Sequence, residues 1–295
     1  MEKYRCIRKI VSYYSRLCII RNLDYIFLPF NWDNVCSFIG NISKEILKDV
    51  KQFGLIGKNI EYSFSKHYFT EKFKSNTDFS GFTYENFDIK SIRHINTLFI
   101  NKNLAGLNVT IPYKESVINY LDDLSEEAKE IGAVNTICFE DNKKIGYNTD
   151  IYGFTETLKA DVKNNFDEVI ILGSGGASKT VKYYCIKNQI PFIIVSRKTD
   201  DSYVSYQDLE IDTFKGKKLV VNCTPLGTFP NVNKCPEIPY EQLNEKDILF
   251  DLVYNPSETL FMKMGKEKGC RTINGYEMLK SQAKRSFELW LDHIK

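Results

Sequence analysis

The chain has 295 residues, 43% apolar and 26% charged, enough to bury one large or two ordinary cores. A net charge of +2 lacks the strong basic field of a nucleic-acid binder, and the 14% aromatic content reads as core rather than as a platform for stacking bases. No apolar run approaches the roughly 18–20 residues that span a bilayer. The 8 cysteines form no C-x-x-C pair and do not cluster with the 3 histidines, which argues against a zinc site or a disulfide scaffold and for a reducing cytoplasm.

Residues 1–52 are aromatic and basic, with Arg5, Arg8, Lys9, Arg16 and Arg21 and no acid between Lys3 and Asp24. That composition has the outline of a transit peptide, but Arg16 and Arg21 interrupt the apolar stretch that a signal peptide needs. An interaction helix, a degenerate domain, a targeting segment and upstream sequence read from a misplaced start all fit. A non-catalytic appendage is the favoured reading.

From Phe53 onward, short apolar runs alternate with helical patterns. "FGLIG", "LAGLNVTI", "AVNTICF" and "KKIGYNTD" read as strands, the last two as a hairpin around Asp141–Asn142. Strands alternating with helices predict a parallel or mixed sheet covered by helices. Within this region, "GLNVTIPYK" ends a strand at Pro112 and sets Lys114 at the start of a helical pattern, "KESVINYL". A helix N-terminus disfavours a cation by about 0.3–1 kcal/mol. Lys114 is therefore either a surface residue that tolerates the penalty or one held there for chemistry.

A second pattern starts at Asp167. "EVIILG" reads as a strand buried on both faces, "SGGASKTVKYYCIKN" as a glycine turn and helix, and "PFIIVSR" as the next strand. "KKLVVNCTPLG" and "DILFDLVYNP" are two more strands, and "ETLFMKMGKEKG" and "NGYEMLKSQAKRSFELWL" are amphipathic helices. This is the alternation of a doubly wound, Rossmann-like nucleotide-binding domain.

Gly173, Gly175 and Gly176 follow a strand and precede a helix, where a phosphate finds close backbone approach and free N–H donors. The match to G-x-G-x-x-G is imperfect, because Ser178 holds the third glycine position, and a plain tight turn is the alternative. The next strand ends in Ser196, Arg197 and Lys198, where an NAD-binding domain carries an acid for the ribose hydroxyl. Two cations there favour the 2′-phosphate of NADP over NAD. The plainer reading is a solvated charge pair at a strand end.

In the first half, Ser63, Ser65, Asn108, Thr110, Lys114, Asn135, Asn148 and Asp150 stand at predicted strand ends. Ligands of open α/β sheets bind there, so these groups suit one polyhydroxylated molecule. Each also has a local explanation. Ser63 and Ser65 read as turn residues, Asn135 as a hairpin residue, and Asp150 as a helix N-cap.

"GLNVTIPYK", "IGAVNTI", "GYNTDIYGF", "ILGSGGAS", "NCTPLG", "DLVYNP" and "NGYEMLKSQA" occur in that order. Together they resemble the shikimate dehydrogenase family from about Gly54 to the C-terminus. The resemblance implies reversible reduction of 3-dehydroshikimate to shikimate with NADPH, in the biosynthesis of chorismate and aromatic amino acids. It implies Lys114 and Asp150 as the catalytic pair. It implies Ser63 and Ser65 at the substrate carboxylate, with Thr110, Asn135, Tyr254 and Gln282 at other substrate positions. It implies a pyrophosphate turn at Gly173, Ser174, Gly175, Gly176 and Ala177, and a 2′-phosphate site at Ser196, Arg197 and Lys198. Thr224, Leu252, Gly275 and Met278 fall in segments that flank the nicotinamide in that family.

The implied architecture is α/β. A substrate-binding domain with a mostly parallel sheet spans 53–155, joined by the C-terminal helix at about 276–295. A Rossmann-like NADP-binding domain spans 156–275, and 1–52 is extra. Closure near Thr149–Lys159 is expected, with no metal, no nucleic acid and no membrane partner, as a monomer or homodimer. The chain departs from the family at Tyr62, where a His is usual, and at Lys66, where a Pro is usual. Asp200 and Asp201 stand where a second arginine is frequent, which predicts a weaker NADP preference. A quinate/shikimate dehydrogenase with relaxed cofactor use and a non-catalytic dinucleotide or metabolite sensor are the competing readings. The presence of both Lys114 and Asp150 favours an enzyme.

Overall fold

The computed structural model describes residues 50–61, 63–161, 166–197, 202–209 and 211–294. Tyr62, Lys198, Asp200, Asp201 and the segment 1–49 lie outside them. The first strand, β1 (Lys51–Gly57), starts inside the stretch set off as an extension and is buried over its last five residues. Helix α1 (Phe64–Lys74) follows, capped by the Ser63 hydroxyl, which accepts the Ser65 N–H. Strand β2 (Phe82–Asp88), the short helix α2 (Ile95–Phe99) and the wholly buried β3 (Leu104–Val109) come next.

The segment after Lys114 does not form the predicted helix. It makes only a 3₁₀ turn at Ser116–Tyr120, because the chain is then drawn extended into β4 (Asp123–Leu124). There the Asp122 N–H bonds to the Lys144 carbonyl, and the Asp122 carboxylate accepts the Lys144 N–H at 2.7 Å. Helix α3 (Glu126–Ile131) follows, with its N-terminus capped by Ser125. Strands β5 (Thr136–Glu140) and β6 (Lys143–Tyr147) then form the expected antiparallel hairpin. Asp141 and Asn142 take φ of 47° and 64°, as a two-residue hairpin turn requires. The sheet order is β2-β1-β3-β5-β6-β4, and it is mixed: β1 pairs in parallel with β2 and β3, and β4 with β6, while β3–β5 and β5–β6 are antiparallel.

Helix α4 (Asp150–Asp161) leads to the second sheet. There β7 (Glu168–Leu172), helix α5 (Gly176–Lys187), β8 (Phe192–Val195), β9 (Lys218–Asn222), β10 (Ile248–Asp251) and helix α6 (Leu260–Glu267) alternate as predicted, and a fifth strand that the sequence reading did not include, β11 (Arg271–Asn274), follows. All pairs are parallel, in the order β11-β10-β9-β7-β8. The winding reverses between β8 and β9, so a crevice opens at the carboxyl ends of β7 and β9.

The last helix, α7 (Tyr276–His293), returns to the first sheet. Its Trp290 is fully buried, donates Nε1–H to the Ile137 carbonyl at 3.0 Å, and packs 4.9 Å from the Phe53 ring. The fit depends on Gly106 in β3, where a Cβ would stand 2.4 Å from the indole. Helix α7 also crosses α4 closely, since a Cβ on Gly153 would lie 2.5 Å from the Met278 carbonyl oxygen.

Candidate active site

The crevice at β7 and β9 is a cavity of about 630 Å³ lined by Gly173, Ser174, Gly175, Gly176, Ala177, Ser196, Arg197 and Thr224. Gly173 leaves β7 with φ +108°, a conformation that a side chain would strain, and its N–H bonds to the Val195 carbonyl. Gly175 stands at the N-cap of α5 and offers no side chain to cap it. A Cβ on Gly175 would meet nothing within 4 Å. An uncapped helix N-terminus beside open space suits a pyrophosphate. Ser178, in place of a third glycine, is buried and donates its hydroxyl to the Gly175 carbonyl at 2.7 Å, which tightens the same turn.

At the end of β8, Ser196 donates to the Ser174 hydroxyl at 2.9 Å and ties strand to turn. Arg197 is exposed beside it. Tyr206 lines the cavity too, its phenol pushed up to about 12 by burial against the pull of the Arg197 charge. Leu252, Gly275 and Met278 do not line this cavity. Leu252 and Met278 pack in the core of the second sheet, and Gly275 is pressed so close that a Cβ would lie 2.4 Å from the Leu252 carbonyl oxygen.

A second cavity, also about 630 Å³, is lined by Ser63, Ser65, Thr110, Asn135, Tyr254 and Gln282 together with Lys114 and Asp150. Residues as far apart in the chain as Ser63 and Gln282 thus converge on one space. Thr110, Ile111 and Lys114 line both cavities, so the two share a wall. Ser63 and Ser65 sit at the N-terminus of α1, where a carboxylate is favoured. Lys66 takes no part there, since its ammonium pairs with Glu85 at 2.7 Å. The Phe64 ring meets those of Tyr254 and Tyr276 edge-on, at 6.0 and 5.6 Å, and so joins α1 to the segments after β10 and β11.

Lys114 Nζ lies 2.6 Å from Asp150 Oδ2, with the side chains 16% and 9% exposed. Asp150 Oδ1 accepts from Asn135 Nδ2 at 2.9 Å, so each carboxylate oxygen has a partner. The carboxylate does not cap α4. That role falls to Asn148, whose Oδ1 accepts the Ile151 N–H at 3.3 Å. Beneath the pair, Asn135 Oδ1 accepts the Thr149 N–H at 2.7 Å. The hydroxyls of Thr136, Thr149 and Ser286 close a buried triangle with edges of 2.7 to 3.2 Å, and Asn108 Nδ2 donates to Ser286 at 3.0 Å. Thr136 and Thr149 lie inside the motifs "IGAVNTI" and "GYNTDIYGF" without being singled out there, and Ser286 lies beyond "NGYEMLKSQA". The available signal is spacing: Ser286 follows Gln282 by one helical turn and so shares its face.

A third cavity of about 510 Å³ lies behind α4, away from Lys114. Its cations are each paired with an acid: Lys159 with Glu156, Lys187 with Glu130 and Arg285 with Glu288. Among the described residues no group of three or more His, Cys, Asp or Glu is placed to hold a metal, and no helix is long and apolar enough to cross a membrane.

The family model described as the shikimate dehydrogenase substrate binding domain matches residues 55–137. The shikimate dehydrogenase (NADP(+)) of Clostridium beijerinckii is 40% identical over 253 residues, 81% of this chain and 91% of the relative. The crystal structure of shikimate dehydrogenase 1 from Peptoclostridium difficile is similar with a TM-score of 0.73 at 36% identity, over 82% of this chain and 92% of that one. The Thermus thermophilus shikimate 5-dehydrogenase, solved in complex with NADP(H) and shikimate, gives a TM-score of 0.70 at 27% identity, over 81% and 93%.

Proposed function

The chain belongs to the shikimate dehydrogenase family, and on that footing we propose how its own residues carry out the reaction. It is an NADP-dependent oxidoreductase of the shikimate pathway that acts on the CH–OH group of shikimate. The observation that carries the residue roles is that Lys114, paired with Asp150, stands on the wall shared by the two cavities.

When bound, NADPH supplies the hydride. The turn from Gly173 to Ala177 receives the pyrophosphate and Arg197, with Ser196, the 2′-phosphate. Ser63 and Ser65 at the N-terminus of α1 hold the substrate carboxylate. Thr110, Asn135, Tyr254 and Gln282 hold its hydroxyl groups. Reduction of a ketone develops negative charge on its oxygen, and a placed proton donor there contributes about 10²–10⁴-fold in rate. Lys114 donates that proton and, in the reverse direction, its amine takes the proton of the substrate hydroxyl. Asp150 holds and orients the Lys114 ammonium, with its other oxygen committed to Asn135.

The first sheet with α7 serves as the substrate domain, 53–155 with about 276–295, and 156–275 as the cofactor domain. The free cysteines among the described residues, Cys138, Cys185, Cys223, Cys235 and Cys270, support a reducing compartment, the cytoplasm. The enzyme acts as a monomer or homodimer.

The test is reduction of NADP⁺ and of NAD⁺ by the purified protein with shikimate and with quinate. Turnover of shikimate with NADP⁺ well above the other three pairings is expected. Equal or faster turnover of quinate with NAD⁺ overturns the specificity, and binding of NADPH without any turnover overturns the enzyme.

A further inference from the structure

Asp251 ends β10 with no exposed surface, and its hydrogen-bond partners are all uncharged. A carboxylate buried without a cation is costly unless several donors meet it. Here three do, from three separate segments. Asn222 Nδ2, at the end of β9, donates to Oδ1 at 2.9 Å. The Val253 N–H, just after β10, donates to the same oxygen at 3.0 Å. The Thr259 hydroxyl, at the N-cap of α6, donates to Oδ2 at 2.5 Å.

Two of these donors lead to the reaction site. Asn222 Oδ1 accepts the Thr224 N–H at 3.0 Å and the Thr224 hydroxyl at 2.6 Å, and Thr224 lines the first cavity. Val253 is followed directly by Tyr254, which lines the second. One carboxylate is therefore the common anchor of a residue on each cavity wall.

We propose that Asp251 is a positioning residue that keeps the cofactor wall and the substrate wall in register, with Asn222 as its arm to Thr224 and the Val253 N–H as its arm to Tyr254. The pattern needs a group that only accepts. An amide in its place turns an NH₂ toward one set of donors. If the NH₂ faces Thr259, the Thr259 proton loses its acceptor, because an NH₂ only donates, and the Thr259 oxygen must take that donor beside the Met262 N–H it already receives at 3.3 Å. If it faces the other way, it opposes the Val253 N–H and the Asn222 NH₂.

Protonation of Asp251 has the same consequence. Burial pushes this carboxyl up to about 6, against the pull of Thr259, the Val253 N–H and Asn222. The titratable groups that feel its charge are the Cys223 thiol and the Tyr240 phenol, both held far above neutrality by burial. Neither supplies a competing charge.

This inference rests on the dehydrogenase reading. An inactive wild type counts against that reading alone, and NADPH binding, followed by its fluorescence, still tests the inference in Asp251→Asn. With an active wild type, the experiment is steady-state kinetics of wild type and Asp251→Asn from mildly acidic to mildly alkaline pH. The expected result is a rise of about tenfold in KM for NADP⁺ and for shikimate together, the scale of one buried donor left unpaired. The wild type should also show an acid limb near pH 6 that the variant lacks. Wild-type KM values with the acid limb retained overturn the proposal. Should Asp251→Asn fail to fold, Asn222→Ala severs the Thr224 arm, with the Asn222 bond to the Leu226 carbonyl, and leaves the Val253 arm in place. It is expected to raise KM for NADP⁺ and leave KM for shikimate unchanged, and an effect on neither or on shikimate alone overturns the proposal.

Discussion

A Cβ placed on Gly176 would stand 3.2 Å from the Cβ of Lys114 and 3.4 Å from its Cδ. The first residue of α5 thus leaves no room for a side chain beside the lysine proposed to move the proton. The next residue, Glu115, is also joined to α5, through its ion pair with Lys179 at 2.6 Å. A glycine at 176 therefore leaves room for two approaches, the one proposed for the cofactor phosphates and that of the Lys114 side chain.

Gly176→Ala should separate stability from activity. Alanine normally favours a helix over glycine by about 0.5–1 kcal/mol, so the thermal midpoint should hold or rise. The added methyl displaces Lys114 by a few tenths of an ångström, and kcat should fall by roughly tenfold, since small misplacements of reacting groups are expensive in rate. Gly175→Ala meets no protein atom within 4 Å and should act on KM for NADP⁺ instead. A Gly176→Ala enzyme with unchanged kcat would show that Lys114 moves aside freely.

Removing the ammonium tests the chemistry itself. Lys114→Ala should lower kcat by about 10²–10⁴-fold with a modest change in KM for shikimate. Asp150→Asn keeps the shape but removes the charge that holds Nζ at 2.6 Å, and should lower kcat by a smaller factor. Near wild-type turnover in Lys114→Ala would remove the lysine from the mechanism.

Arg197 is the described cation at the end of β8 on the cofactor cavity. Arg197→Ala should raise KM for NADPH and narrow the ratio of NADPH to NADH use, while kcat with saturating NADPH stays close to that of the wild type. A cofactor ratio that does not move would refute a contact with the 2′-phosphate.

The raised Asp251 carboxyl makes a statement about stability and pH. Its ordinary value of 3.8 becomes about 6 in the fold, so the folded state holds this proton more tightly than the unfolded chain. Its contribution is fully present below pH 3.8 and is lost as pH rises to about 6, a change on the order of 3 kcal/mol. Measured by urea denaturation, the stability of wild type minus that of Asp251→Asn should fall as pH rises through this window and then level off. A difference that grows with pH would contradict the sign.

Gly106→Ala drives a methyl into the Trp290 indole and should destabilise by about 1–3 kcal/mol, as overpacking does. Because α7 carries both Trp290 and Gln282, KM for shikimate should rise in the same variant. Denaturation and kinetics on one preparation check both. A stable variant with an unaltered KM would mean that α7 is held by other contacts.

Much of the fold was legible because its signals are local. Apolar runs marked both sheets, Asp141–Asn142 marked a hairpin, and glycines after "EVIIL" marked the turn into α5. The helix expected at Lys114 failed for a non-local reason. Its segment is pulled extended by pairing between Asp122 and Lys144, which a window around Lys114 does not contain. The positive helix terminus beside Lys114 is real, but it belongs to α5.

By itself the sequence determined the two α/β patterns, the order of the motifs and the residue types that the reaction needs, because each is written in a few consecutive positions. Only the tertiary structure decided which of those residues meet. The hydroxyls of Thr136 and Ser286 stand 2.7 Å apart across 150 positions, and Asn222 reaches Asp251 across 29. Leu252, Gly275 and Met278 satisfy the motif yet are not among the residues lining the two cavities. Such contacts form because buried polar groups need partners and buried apolar groups need neighbours, and both are found only after distant segments have packed.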